Sequence, residues 1–167
     1  KLVPRIKDTA LILYLIYIVM TVIETVMLLF GGMSFFESLL HAFGTAGTGG
    51  FGLKRDSLAS YSPYIQWVIT VFMILFGVNF NLYYLMLLKK FKAVVTSTEL
   101  WAYFGIILSS AALIAWNIRH LFGGLEQTVR TAAFQVASVI STTGYATADF
   151  NLWPNFSKNI LFILMFI

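Results

Sequence analysis

Residues 41–52, HAFGTAGTGGFG, and residues 134–154, FQVASVISTTGYATADFNLWP, decide the fold of this chain. Each stretch contains a turn in which Thr, Gly and an aromatic residue occur in the same order. Residues 48–52 (TGGFG) align with residues 142–146 (TTGYA), which lie 94 positions later in the sequence. An element repeated with its surroundings at a fixed spacing indicates that the chain contains two copies of one structural unit.

The composition places this repeated unit in a membrane. Hydrophobic residues make up 59% of the 167 residues and charged residues only 11%, whereas a soluble domain has roughly 25% charged residues. The net charge is +4, but no basic block is dense enough to bind nucleic acid. The absence of cysteine excludes disulfides and thiolate metal sites. We therefore expect an all-α membrane protein with no nucleic-acid partner.

Four apolar runs are candidates for membrane-spanning helices. Residues 9–30, 64–88 and 100–118 contain one charged residue between them, Glu24. Each run is long enough to cross a hydrocarbon core of ~30 Å at a rise of ~1.5 Å per residue. The fourth run, residues 153–167, ends after roughly one half to two thirds of a span. We therefore expect the chain to be a fragment.

Two shorter segments, residues 35–45 and 127–141, have helical apolar spacing but are too short to cross a bilayer. Each lies between two spans and is followed by the repeated turn. Because irregular backbone at membrane depth is tolerated only inside protein or beside a water-filled cavity, this order predicts a re-entrant pore helix and loop. The repeat thus predicts a complete pore unit at residues 1–97 and a second unit, truncated in its last span, at residues 98–167.

The repeated turn has the composition of a cation filter. A dehydrated alkali cation needs several oxygen ligands, and backbone carbonyls supply them without a full charge. Glycine accepts the positive φ values that aim successive carbonyls to one side, a Thr hydroxyl can add an oxygen, and an aromatic ring can pack sideways. A glycine-rich connector is the alternative, which the repetition disfavours. The predicted filter residues are Thr48, Gly49, Gly50, Phe51, Thr142, Thr143, Gly144 and Tyr145.

Basic residues and tryptophans predict the orientation. If the short helices enter from outside, the inner segments hold six Lys or Arg residues and the outer segments four. This bias agrees with the positive-inside rule. Trp101, Trp116 and Trp153 lie near the ends of spans, where tryptophan is typical of an interfacial anchor.

These stretches, together with residues 76–84, FGVNFNLYY, resemble the TrkH/KtrB superfamily of microbial potassium transporters (Trk, Ktr and HKT) over essentially the whole chain. The resemblance implies four such units around one pore, of which this chain is similar to the second and third. It implies that the eight predicted filter residues bind potassium as the transported substrate. Gly49 stands where a strict potassium channel has Val, and Ala146 where it has its last Gly, so a relaxed selectivity is implied.

The resemblance also implies a location and partners. The location is the plasma membrane, a bacterial or archaeal inner membrane, which the protein crosses several times while taking up potassium. The partners are membrane lipid, the remaining pore units of the same chain, a second copy in a homodimer of the full transporter, and a cytoplasmic nucleotide-binding regulatory subunit. A non-conducting membrane subunit that retains the pore scaffold is the alternative function.

An enzymatic function and a metal site with histidine ligands are not expected. An enzyme would need clustered His, Asp, Cys or Lys residues at membrane depth, and the sequence has no such cluster. Residues 47–52 match G-x-G-x-x-G, but no strand precedes them and no acidic residue follows at the spacing of a ribose ligand. His41 and His120 have no partner at ligand spacing, so a packing role is predicted for His41.

Four polar residues expected at membrane depth each have two possible interpretations. Glu24 is either functional or a solvated or hydrogen-bonded carboxylate. Asn79 and Asn81 either line a cavity or bond between helices, and the second is favoured. Arg130 pairs either with Glu126, one helical turn earlier, or with a neighbour outside this sequence.

Overall fold

The computed structural model describes residues 2–50, 52, 58–147 and 150–167. The regular elements in these residues are all helical, which confirms the predicted all-α class. They are α1 (Leu2–Phe30), α2 (Phe35–Ala46), α3 (Pro63–Gly77), α4 (Phe80–Leu87), α5 (Phe91–Val95), α6 (Thr98–Ile118), α7 (Leu125–Ile140) and α8 (Asn155–Leu164), with short 3-10 helices at Arg119–Leu121 and Phe150–Leu152.

Helices α1 and α6 are long and apolar enough to cross a membrane, over Ile6–Phe30 and Thr98–Leu121. The predicted spans at residues 9–30 and 100–118 are therefore confirmed as helices of spanning length. A lipid environment explains the outer face of α1, because lipid tails solvate apolar side chains that water would not. The exposed side chains on this face include Leu11, Tyr14, Ile18 and Val22.

The third predicted span, residues 64–88, is wrong as one continuous helix, because α3 and α4 meet at an angle of 86°. Val78 between them has an extended backbone (φ −72°, ψ 145°). The Asn79 side chain accepts a hydrogen bond from the Asn81 N–H at 3.0 Å and so caps α4. Asn79 also donates to the Glu99 carboxylate on α6 at 3.3 Å. The bond between helices favoured for Asn79 is thus confirmed.

Two tyrosines satisfy backbone carbonyls near the end of α3. The Tyr103 hydroxyl on α6 donates to the Ile74 carbonyl at 3.0 Å, and the Tyr83 hydroxyl on α4 donates to the Leu75 carbonyl at 2.6 Å. A helix that ends inside hydrocarbon leaves its last carbonyls without partners. These two hydroxyls therefore stabilise the bend.

Two hydrophobic clusters form the core. The first lies around α3 and contains Leu28, Ile69, Met73, Phe134 and Tyr145. The second joins α6, α7 and α8 and contains Ile114, Ile118, Val136, Trp153 and Leu161. Because Phe134, Ala137 and Tyr145 from the second half of the sequence lie in the first cluster, the two halves share a core.

The three tryptophans that were predicted as interfacial anchors differ in exposure. Trp101 and Trp116, at the two ends of α6, are exposed as an interfacial anchor would be. Trp153 is only 4% exposed, so its prediction as an anchor is wrong. It immediately precedes the turn into α8, and its ring is buried in the second cluster.

Replacing Gly77 by Ala is expected to destabilise the bend. A Cβ atom at Gly77 would collide with the Tyr103 hydroxyl, and moving this ring would break its bond to Ile74. We expect the free energy of unfolding in detergent to fall by about 1–2 kcal/mol. The control is Gly77→Ala with Tyr103→Phe, which removes the colliding oxygen and should be no less stable than Tyr103→Phe alone. Wild-type stability of Gly77→Ala would contradict this account of the bend.

Candidate functional site

The short helix α2 has a well-defined start and ends just before residues 48–52, the first filter turn; residues 142–146 are the second filter turn. The Ser34 hydroxyl accepts a hydrogen bond from the Glu37 N–H at 3.2 Å, and the Glu37 carboxylate accepts one from the Ser34 N–H at 3.3 Å. This reciprocal pair is a capping box, which fixes the first turn of a helix. The helix ends at Ala46, with Gly47 as its C-cap. The short helix predicted at residues 35–45 is confirmed.

The second short helix, α7, is held at its start by an ion pair. The Arg130 guanidinium lies 2.7 Å from the Glu126 carboxylate, one turn earlier, so that predicted pairing is confirmed. The Trp67 indole N–H on α3 donates to the same carboxylate at 2.9 Å. The Trp67 hydrogen bond and the Arg130 charge hold the pKa of Glu126 below its usual range. These contacts join α7 to α3. The helix itself differs from the predicted segment, residues 127–141, by two residues at its start and one at its end.

The two filter turns have the same unusual backbone. Thr48 and Thr142 have φ values of 53° and 60°, and Gly50 and Gly144 have φ values of 71° and 90°. Positive φ is uncommon for a β-branched residue such as Thr. Its occurrence at both equivalent positions shows that the turn repeats in backbone geometry as well as in sequence.

One carbonyl at the end of each short helix holds the N–H groups of the turn that follows. The Gly44 carbonyl accepts hydrogen bonds from the Gly49 and Gly50 N–H groups at 2.8 and 3.4 Å. The Ser138 carbonyl accepts the equivalent bonds from residues 143–144 at 3.0 and 3.4 Å. The N–H groups of both turns are therefore directed back to the helix that precedes them.

The carbonyls of the turns are available for a ligand. Within the described part of the chain, no hydrogen bond reaches the carbonyls of residues 48–50 or 142–144. The Tyr145 carbonyl differs, because it accepts a hydrogen bond from the Ser138 hydroxyl at 2.6 Å. Each turn thus presents three successive carbonyl oxygens that a cation could use.

The two turns approach each other at Gly50. A Cβ atom at Gly50 would collide with the Thr143 carbonyl oxygen. A Cβ atom at Gly144 would meet nothing within 4 Å among the described residues. Gly50 is therefore required for two reasons, its positive φ and the close approach of a neighbouring backbone, whereas Gly144 is required only for its φ.

The two threonines of the second turn have different roles. The Ser141 hydroxyl donates its single proton to the Ala137 carbonyl at 2.6 Å, so the Thr143 hydroxyl must be the donor in its 2.8 Å bond to Ser141. Thr143 is buried by this arrangement. The Thr142 hydroxyl donates to the Ser141 carbonyl at 2.6 Å, and the residue is exposed. The lone pairs of the Thr142 hydroxyl are therefore the ones open to a cation.

Tyr145 packs sideways behind its turn, as predicted. Its ring is fully buried and lies 5.8 Å from the His41 ring, centroid to centroid, and its hydroxyl donates to the His41 carbonyl at 3.4 Å. Tyr61 joins this cluster, and its ring centroid lies 5.4 Å from that of His41. His41 donates through Nδ1 to the Glu37 carbonyl at 2.8 Å, which confirms its packing role. The other predicted aromatic residue, Phe51, lies outside the described residues.

The second turn also borders open space. A cavity of about 250 Å³ lies beside it, lined by Ser138, Val139, Thr142, Gly144 and Met165. Among the described residues, no group of three or more His, Cys, Asp or Glu side chains could hold a metal ion. The oxygen atoms of the residues that line this cavity belong to hydroxyl and backbone groups.

Three residues that shape the turns were not among the predicted site residues. Gly44 and Ser138 supply the carbonyls that hold the turns, and Ser141 fixes the Thr143 side chain. A sequence signal for the first two exists, because they occupy equivalent positions at the 94-residue repeat and are both small. Small side chains here allow the turn to fold back onto the helix.

Comparison with known proteins gives a consistent family. The family TrkH, described as cation transport protein, matches residues 1–104. The chain is 31% identical to the Trk system potassium uptake protein TrkH of Escherichia coli strain K12, over the whole chain and 35% of that protein. It is 28% identical to the Trk system potassium uptake protein TrkI of Halomonas elongata, over the whole chain and 34% of that protein.

A solved structure of a potassium transporter has a similar fold. The crystal structure of the potassium transporter TrkH from Vibrio parahaemolyticus matches with a TM-score of 0.83 at 26% identity, covering 96% of this chain and 36% of that one. The chain thus spans about a third of the length of the relatives it matches.

Gly50→Ala is expected to disturb the turns more than Gly144→Ala. Both changes place a side chain at positive φ, which costs roughly 1–2 kcal/mol, but only the first would drive a Cβ atom into a backbone oxygen. We expect Gly50→Ala to lower the free energy of unfolding in detergent by about 1–3 kcal/mol more than Gly144→Ala, the usual cost of forcing an atom into a packed interior. Equal losses in the two variants would contradict the contact between the turns.

Proposed function

Because the chain belongs to the TrkH family of cation transport proteins, we propose that it forms part of a pore that conducts potassium ions across a membrane through a filter of backbone carbonyls. Relatives that match the whole chain are named potassium uptake proteins. The observation that carries the proposal is the repeated turn, with positive φ at equivalent residues and its N–H groups bonded back to the short helix.

The proposed filter consists of the eight residues predicted from the sequence. In the first unit they are Thr48, Gly49, Gly50 and Phe51, and in the second unit Thr142, Thr143, Gly144 and Tyr145. Carbonyls that accept no hydrogen bond replace the water shell of the ion, and they bind it without the full charge that would trap it. The Thr142 hydroxyl adds an oxygen, and the buried Tyr145 ring supports the second filter turn.

The short helices favour a cation over an anion. Helix α2 ends at Ala46, with Gly47 as the C-cap immediately before the first filter turn, and α7 ends at Ile140, with Ser141 as the C-cap immediately before the second. The carboxyl end of a helix has a partial negative charge of roughly half an elementary charge. Two such ends directed at the filter lower the energy of a cation there and raise that of an anion.

The remaining parts of the pore come from outside this sequence in our proposal. We assign residues 1–97 and 98–167 to one complete and one partial pore unit. A carbonyl cage of this type needs about four strands, and this chain supplies two, so further pore units of the same polypeptide provide the others. We further propose an inner-membrane location, contact with lipid, a homodimer of the full transporter and a cytoplasmic nucleotide-binding regulatory subunit.

Reconstitution of the full-length protein into liposomes tests the proposed function. We expect rubidium uptake that potassium inhibits, and no comparable chloride flux. The matched control is Gly50→Val with Gly144→Val, which should lose uptake while keeping its elution volume in detergent. A well-folded wild-type protein that carries neither potassium nor rubidium would instead support a non-conducting subunit, and chloride flux equal to that of potassium would contradict the polarity of the short helices.

A further inference from the structure

A buried carboxyl group lies on α1 close to the end of α2 that precedes the first filter turn. Glu24 on α1 is fully buried, and neither of its carboxyl oxygens has a hydrogen-bond partner of good geometry among the described residues. The Thr45 hydroxyl on α2 is within reach of this carboxyl group. An acid in a membrane-spanning helix is costly, and a role at a functional site is the usual reason for it.

The surroundings of Glu24 disfavour a negative charge. The titratable side chains near it are Tyr17 on the same helix and Tyr145 from the second filter turn, and the adjoining cluster adds His41 and Tyr61. None of these described neighbours is a Lys or an Arg. The adjacent end of α2 is its carboxyl end, which carries the partial negative charge of the helix dipole. A buried carboxylate would therefore be both unpaired and repelled.

The hydrogen bond that Thr45 makes within its own helix is consistent with a neutral Glu24. The Thr45 hydroxyl donates to the His41 carbonyl at 2.7 Å. A hydroxyl has a single proton to donate, although its oxygen can still accept. While the Thr45 hydroxyl donates to the His41 carbonyl, a hydrogen bond between Thr45 and Glu24 needs Glu24 as the donor, and only the neutral carboxylic acid has a proton for it.

Thr45 is directly connected to the filter strand. The Thr45 carbonyl accepts a hydrogen bond from the Thr48 N–H at 3.3 Å. The preceding carbonyl, that of Gly44, accepts the next two N–H groups of the strand. A displacement of this last helical turn would thus move all three bonds that orient the strand, and with them the direction of its carbonyls.

We propose that Glu24 is a positioning residue for ion selection: as a neutral carboxylic acid it donates a hydrogen bond to the Thr45 hydroxyl oxygen and fixes the turn of α2 that holds residues 48–50. The proposal rests on the proposed function, because its main effect is on the ions that the filter accepts. Glu24 does not contact the ion. It acts through Thr45 and the backbone of Gly44.

The second unit provides an internal comparison. At the 94-residue repeat, Glu24 corresponds to Ile118 and Thr45 corresponds to Val139. Ile118 is fully buried in the second hydrophobic cluster. Because an apolar pair fills the equivalent place there, an acid and a hydroxyl are not needed to build a pore unit. Their presence in the first unit therefore points to the filter and not to folding.

The transport experiment uses the full-length protein in liposomes and measures how strongly potassium and sodium each inhibit rubidium uptake. Glu24→Ile with Thr45→Val copies the second unit, so we expect it to fold with wild-type thermal stability but to lose about fivefold or more of its preference for potassium, the factor that one net hydrogen bond provides. Glu24→Gln should restore the preference, because its amide N–H can also donate to Thr45.

Two transport results would overturn the proposal. One is a wild-type ion preference in the double variant. The other is a Glu24→Gln protein that is well folded but has lost the preference to the same extent as Glu24→Ile. If Glu24→Ile alone fails to fold, Thr45→Val provides the same test, with Thr45→Ser as the control that keeps the hydroxyl, and an unchanged preference in Thr45→Val overturns the proposal.

Infrared spectroscopy tests the neutral acid without any transport measurement. We expect the wild-type protein at neutral pH to show the carbonyl band of a protonated carboxylic acid, and Glu24→Gln to lack it. Absence of this band in a wild-type protein that transports potassium would overturn the role of Glu24 and leave the proposed function intact. Its presence in a protein that transports no ion would support the neutral acid at Glu24 while the proposed function fails.

Discussion

Backbone N–H groups at membrane depth have to be hydrogen-bonded within the protein, and this constraint determines how the filter turns are built. In each unit the short helix ends with a carbonyl that accepts two N–H groups from the turn, Gly44 in the first unit and Ser138 in the second. Bonding the N–H groups on this side directs the carbonyls of the same strand to the other side. The arrangement that allows an irregular turn to exist at membrane depth therefore also leaves three successive carbonyls of each turn without a hydrogen bond among the described residues.

The bend between α3 and α4 follows from the same constraint. The α3 carbonyls near the bend are satisfied by hydroxyls from two other helices, Tyr103 on α6 and Tyr83 on α4. Gly77 leaves room for the first of these hydroxyls. Since Tyr103 lies in the second half of the sequence, part of the stabilisation of the bend in the first half requires that the two halves pack together. The irregular parts of this fold thus depend on contacts between its halves, whereas α1 and α6 depend mainly on their own sequence.

The features that could be predicted from the sequence are local. A run of apolar residues predicts a span, and a Gly in a repeated turn predicts positive φ. The positive φ of Thr48 and Thr142 could not be predicted, because the intrinsic preference of Thr opposes it and the hydrogen bonds of the turn impose it. The bend after α3 was missed for a related reason, since the donor for the Ile74 carbonyl is Tyr103, 29 residues later. The burial of Trp153 likewise depends on tertiary packing that a position near the end of a span does not reveal.

The two units repeat a backbone but not the packing that supports it. Tyr145 from the second turn is buried against His41 of the first short helix, and Gly50 from the first turn lies against the carbonyl of Thr143 in the second. Each filter turn is therefore held in place partly by residues of the other unit. In a close-packed interior, a change at one strand has to be accommodated by its neighbour. It follows that the geometry of the carbonyls belongs to the pair of units, and that the same turn packed against a different neighbour would have a different geometry.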